Sequence, residues 1–257
     1  VTVLVGFTSS AVIVFQGAQA VGANPAEIAS WMWALGWGMG LTCIGLSMHY
    51  RLPVVTAWST PGAAMLTAGV AQVSLPEAIG AFVISALLIT VVGFTGWFER
   101  MISRIPASIG AGMLAGVLLR FGLDAFVAMR TEFGLALAMF LAYLVMRRLK
   151  PRYAVVVTLL LGTGIAAARG MLGFGALSLQ FAQPVWTTPV FSFAGLISIA
   201  IPLFIVTMTS QNVPGVTVLR ASGVQVPISP VIGWTGLTNV AFAPFGGFAL
   251  NLAAITA

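Results

Sequence analysis

Apolar runs of about twenty residues, almost free of charge, follow one another from Val1 to Ala257, and each has the length a helix needs to cross a bilayer. They fall at 1–21, 27–48, 76–98, 106–127, 132–149, 153–169 and 193–218, with a shorter one at 228–240. Charged residues make up 6% of the chain, against roughly 25% in a soluble domain, so no aqueous globule could bury the 60% that is hydrophobic. The expectation is an all-α polytopic membrane protein with the lipid bilayer as its solvent.

Two further apolar stretches carry residues that break helices. Pro53 to Ala71, PVVTAWSTPGAAMLTAGVA, is β-branched and aromatic up to Ser59, continues with Pro61 and Gly62, and reads as helix only from Ala63. Ala241 to Ala257, AFAPFGGFALNLAAITA, again sets a proline and a pair of glycines before a helical run. An extended segment followed by a half-helix leaves first-turn N–H groups unpaired in hydrocarbon, which is tolerated only where they line a cavity. Broken segments in corresponding halves of a chain point to the binding site of a transporter. With these two, the chain holds about ten membrane elements. It starts at Val1 without methionine and stops inside an apolar run, so it reads as an internal piece of a longer protein.

Loop charges set the expected orientation. One side holds Arg51, Arg100, Arg104, Arg147, Arg148, Lys150, Arg152 and Arg220, and the other only Arg130 and Arg169, which places the N-terminus in the cytoplasm. Because the basic residues fall in short loops between spans, the net charge of +6 reports topology, and no nucleic-acid partner is implied. The lone Cys43 excludes a disulfide within the chain and a thiolate cluster, and His49 is the single histidine, so neither a metal site nor a cofactor is expected. An intramembrane serine or metal hydrolase would need a Ser/His pair or HExxH, which argues against an enzyme.

The two halves also resemble each other. Thr8-Ser9-Ser10 aligns with Thr209-Ser210-Gln211, and each copy is followed by one helix and then by a broken segment. An odd number of elements separates the copies, so the second runs through the membrane in the opposite sense, as an inverted repeat.

GFTSSAVIVFQGAQAVGANPAEIASWMWALGWGMGL, RLPVVTAWSTPGAAML and RIPASIGAGMLAGVLLRFGLDAF resemble the benzoate/proton symporter (BenE) family of bacteria over essentially the whole chain. That resemblance implies a uracil-permease-like inverted-repeat transporter of fourteen segments, with a short strand plus half-helix in segments 3 and 10, of which about ten are present here. It further implies core segments 1–4 in residues 1–99, gate segments 5–7 in 100–170, an external connection at 171–192, and core segments 8–10 in 193–257, with segments 11–14 missing. The implied location is the bacterial inner membrane, with a small aromatic carboxylate and protons as partners; a homodimer stays open.

In this reading the half-helix N-termini, each with roughly half a positive charge, point at a midplane cavity suited to a carboxylate. Ser59 and Thr60 add hydroxyl donors, Trp58 and Phe245 offer ring faces, and Gly62, Gly246 and Gly247 let substrate approach the backbone. Gln211 and Asn212 lie mid-span in segment 8, with Ser9 and Ser10 as weaker counterparts in segment 1 and Asn251 at the second break; helix-to-helix hydrogen bonding is the alternative for the amides. Asp124, four residues after Arg120, and His49 are the proton-coupling candidates, although an ion pair with Arg120 is favoured for Asp124. The expected function is proton-coupled import of benzoate or a similar aromatic carboxylate. A nucleobase or inorganic-anion transporter of the same fold and a passive anion channel are the alternatives.

Overall fold

A computed structural model describes residues 2–69, 73–102, 119, 123, 126–172, 181–225 and 227–253. The chain divides into two compact units, Val1–Val5 with Ala115–Phe181, and Gly6–Leu114 with Ala182–Ala257. Helix α1 covers Thr2–Ala20, α2 Pro25–Tyr50, α3 Thr60–Gly69, α4 Leu75–Phe94 and α5 Trp97–Ile102. Next come α6 at Phe133–Leu149, α7 at Ala154–Ala168, α8 at Phe193–Ala221 and α9 at Ile228–Phe242. Two short strands complete the order, β1 at Thr56–Trp58 and β2 at Leu250–Leu252. Helices α4 and α8 are each long and apolar enough to cross a membrane, with mean hydropathy 2.2 and 2.0.

In the smaller unit α6 and α7 form a hairpin through the single turn Pro151–Tyr153. Gly162 lets the thioether of Met139 lie against α7, and Arg169 reaches Glu132 at 3.2 Å across the open end. Both partners of that pair are about half exposed, so it contributes little, on the order of 0–1 kcal/mol.

The larger unit is built on helices that start and stop where their sequence says. Asn24 caps α2 through the N–H groups of Ala26 and Glu27, while Glu27 returns a bond to the Asn24 N–H. Ser74 and Glu77 repeat the box on α4, and Gly96 at φ 71° turns the chain into α5. Helices α4 and α9 approach closely because Gly93 faces Gly233 and Gly236 faces Thr90, leaving no room for a side chain at those glycines. Trp31, Phe82 and Phe248 centre the core, with ring centroids 5.4 to 5.6 Å apart.

The span predicted at 193–218 is helical but not regular. Helix α8 widens into π turns at Leu196–Ala200 and Met208–Asn212. Each lies just before a proline, Pro202 or Pro214, whose ring would strike the carbonyl four residues back in a regular helix. The extended segment 182–192 crosses the ends of α2 and α4. Val185 N–H donates to Ser30 Oγ at 2.9 Å, Thr187 N–H to the Pro244 carbonyl at 2.8 Å and Val190 N–H to the Pro76 carbonyl at 2.9 Å.

Candidate functional site

The two broken segments meet as a pair of strands. β1 runs antiparallel to β2 in the register Thr56↔Leu252, Ala57↔Asn251 and Trp58↔Leu250. Strand pairing disposes of the backbone groups between them, and the remaining edges are closed by side chains instead of further strands. On the β1 side, Val54 N–H donates to Ser47 Oγ at 3.0 Å, Ser47 Oγ donates to the Val54 carbonyl at 3.1 Å, and Thr56 N–H reaches Cys43 Sγ at 3.2 Å. On the β2 side, Leu250 N–H donates to Asn239 Oδ1 at 2.9 Å, Asn239 Nδ2 returns to the Leu250 carbonyl at 3.2 Å, and Leu252 N–H donates to Asn212 Oδ1 at 3.0 Å. Helices α2, α8 and α9 thereby satisfy a two-stranded ribbon that lipid could not.

Helix α3 starts directly after β1. Buried Ser59 accepts from the Gly62 N–H at 3.0 Å, as an N-cap does, and Pro61 has no N–H to offer. The expected set of free first-turn donors therefore shrinks, among the described residues, to the Thr60 N–H. Gly62 is required for packing: a Cβ there would lie 2.7 Å from the Leu203 side chain of α8 and 3.0 Å from Ser59 Oγ.

The second break differs from its expectation. Among the described residues no helix starts after Gly247; a single turn, Ala243–Phe245, leads through the glycines into β2. Gly246, at φ 91°, lies flat on the Trp31 indole, and Gly247 donates to the Phe242 carbonyl at 2.9 Å. Phe245 packs on Trp33 and Trp186, with centroids 5.8 and 5.3 Å away. The helical run read into the sequence after Gly247 is displaced because Ala249 takes up a left-handed conformation, φ 47°, and turns the chain into an extended strand.

The other residues singled out in the sequence gather at the ribbon. Trp58 Nε1 donates to Ser10 Oγ at 2.9 Å, both side chains being buried. Ser9 belongs to α1, but its side chain is outside those described, as is Asp124 altogether. Asn212 is fully engaged, through Leu252 and through Met208 Sδ at 3.3 Å. Its neighbour Gln211, 5% exposed in the π turn that lies against β2, makes no side-chain hydrogen bond with any described residue. Thr207 Oγ1, one turn earlier, and Asn251 Oδ1 on β2 are buried without a partner, while the Asn251 amide donates to the Ala249 carbonyl at 2.8 Å. His49 is apart from this group, exposed at the end of α2 with its ring edge-on to Tyr50. Asn239, Cys43 and Thr207 escaped the sequence reading; a polar group deep in an apolar run, the criterion that picked out Gln211, also fits Asn239 and Thr207.

The chain belongs to the benzoate membrane transport protein family, whose match extends over residues 1–257. It is 46% identical over 255 residues to the inner membrane protein YdcO of Escherichia coli K12. It is 37% identical over 255 residues to the benzoate membrane transport protein of Acinetobacter baylyi. Each match takes in 99% of this chain and 65% of the relative, so the chain spans just under two thirds of the length of the curated relatives it matches.

Proposed function

We propose that this member of the benzoate membrane transport family is, in its full-length form, a secondary active transporter that imports benzoate or a similarly small aromatic carboxylate across the bacterial inner membrane with protons. The name of the Acinetobacter relative supports the substrate, and the inner-membrane name of the Escherichia relative supports the location. In this proposal the N-terminus is cytoplasmic, the two broken segments are corresponding parts of an inverted repeat, and the unit that holds them moves against a gate that includes α6 and α7.

One observation carries the placement of the site: Gln211 is buried beside the paired strands with an amide that no described residue satisfies. With no protein acceptor on it, Nε2 can donate to a bound carboxylate without giving up an existing hydrogen bond, a charge-assisted bond worth about 1.5–3 kcal/mol. The Thr60 N–H and the positive end of α3 add attraction for an anion. Neither break holds an acid, at 53–62 or at 245–253, so the site offers no fixed negative charge from these segments. The substrate then binds as the anion, and the proton is carried by a group outside the two breaks, with His49 and Asp124 as the candidates from the sequence. Ser10 and Trp58 fix the wall of the site through their mutual hydrogen bond, and Ser59 through its cap.

The test is Gln211→Glu in the full-length protein. Two carboxylates about 4 Å apart repel by on the order of 4 kcal/mol at an effective dielectric near 20, close to a thousandfold in affinity. Uptake of labelled benzoate at pH 7 is expected to vanish and to return in part as acid neutralises the new carboxyl. Parental uptake by that variant at pH 7 would remove Gln211 from the site. Counterflow exchange of labelled benzoate in the parent separates a carrier, which shows it, from a passive channel, which does not.

A further inference from the structure

The edges of the paired strands are closed by residues that the sequence itself relates. Helix α2 contains Gly40-Leu41-Thr42-Cys43 and α9 contains Gly236-Leu237-Thr238-Asn239, three identities followed by one difference. The residue that differs is, in each helix, the one that holds a strand. Cys43 Sγ receives the Thr56 N–H at 3.2 Å and faces the Thr56 carbonyl at 3.7 Å. Asn239 takes the Leu250 N–H at 2.9 Å and gives to the Leu250 carbonyl at 3.2 Å. Counted from the central pair Ala57↔Asn251, Thr56 and Leu250 each stand one residue earlier on their own strand. A two-fold operation that exchanges antiparallel strands about that pair carries Thr56 onto Leu250, and the repeat carries Cys43 onto Asn239.

We infer that Cys43 and Asn239 are equivalent positioning residues, each fixing the outer edge of one strand of the pair. This rests on the site proposed above being at the strands. Neither residue touches substrate in this account. Asn239 acts through Leu250 on Asn251, and Cys43 acts through Thr56 on Trp58, Ser59 and the start of α3. The same backbone positions are held by a bidentate amide in one half and by a weak sulfur acceptor in the other, so the second strand is the more firmly fixed.

The test uses the full-length protein, with Asn239→Leu and Cys43→Ala as the disabling variants and Cys43→Ser as the conservative one. Loss of Asn239 is expected to raise KM for benzoate about tenfold with Vmax within about twofold, and Cys43→Ala to raise it about threefold. Cys43→Ser, which keeps an acceptor for the Thr56 N–H, is expected to restore the parental KM. A purely structural role would lower the amount of folded transporter and Vmax while KM stayed parental in both disabling variants, and that result would overturn the inference. Backbone amide exchange gives a second readout that needs no substrate: exchange at Leu250 should accelerate at least about tenfold in Asn239→Leu, and at Thr56 in Cys43→Ala. Unchanged exchange at both amides would overturn the inference even if transport were impaired. If the parent takes up no benzoate, the functional reading falls by itself, and the exchange rates still decide whether these two side chains hold the strands. Should Asn239→Leu fail to fold, the Cys43 pair of variants carries the same decision.

Discussion

The first break is bounded by a thiol and a hydroxyl from α2, whereas the second is bounded by two amides from α9 and α8. The first passes directly from strand to helix, with Ser59, the residue after the strand, as the cap of α3. The second reaches its strand only after a tight turn, a glycine laid on Trp31, and a left-handed alanine. Paired strands of three residues each cannot hold themselves in a membrane, and the comparison shows that each borrows a different neighbour to complete its hydrogen bonds. It also shows where polarity is left over. Thr207 and Asn251, each with a buried oxygen that lacks a partner, come from the second half of the chain, as does Gln211; Ser85 Oγ on α4 is the other such oxygen among the described residues, and the first break itself has its donors nearly used up.

Substitutions at three positions break or sharpen this contrast, and the largest effect falls on the approach to the second strand. Gly246→Ala puts a methyl group into a buried indole that is itself wedged between Phe82 and Phe248, at a φ of 91° that alanine adopts poorly. Destabilisation of about 2–4 kcal/mol is expected, seen as loss of the monodisperse protein in detergent or a large drop in Tm. A parental Tm would mean that the turn is not held against Trp31.

Ser59→Ala acts on the first break at a smaller scale. It removes the cap from the Gly62 N–H in a buried setting, at about 1–2 kcal/mol, and Ser59→Asp restores an acceptor while adding a charge next to the site. The alanine variant should therefore lose thermal stability and keep measurable benzoate uptake, whereas the aspartate variant should keep stability and lose uptake near neutral pH. If both variants behave alike, the cap and the anion site are not neighbours.

The smallest effect is a gain. Ala249→Gly relieves the left-handed alanine before β2 and is expected to raise stability by about 0.5–1 kcal/mol, measured as a small increase in Tm. A decrease would show that the constrained backbone of Ala249, and not strain, is what directs the chain into the strand.

Much of this arrangement is legible in the chain itself. Among the described residues the apolar runs locate the helices to within a few residues, because a spanning helix has no choice about length or polarity, while most of the run at 106–127 lies outside them. Asn24-Pro25 and Ser74-Leu75-Pro76-Glu77 announce the starts of α2 and α4, since capping is decided by residues within one turn of each other. The first break follows from β-branched residues running into Pro61. The prolines of α8 could have announced its π turns, for the clash they cause is local as well.

Other features were decided only in three dimensions. Nothing local tells Leu250–Leu252 to be extended: the stretch gains its strand by pairing with Thr56–Trp58, nearly two hundred residues earlier, and by donating to Asn239 and Asn212. The first-turn donors of α3 were expected to be free because sequence shows which N–H groups lack a helical partner but not which side chain reaches them, and here Ser59 does. The same limit separates Gln211 from Asn212. They are adjacent amides in one helical turn, equal in the sequence, yet one ties down a strand and the other is left open, because a step of one residue around a helix turns a side chain to a different neighbour.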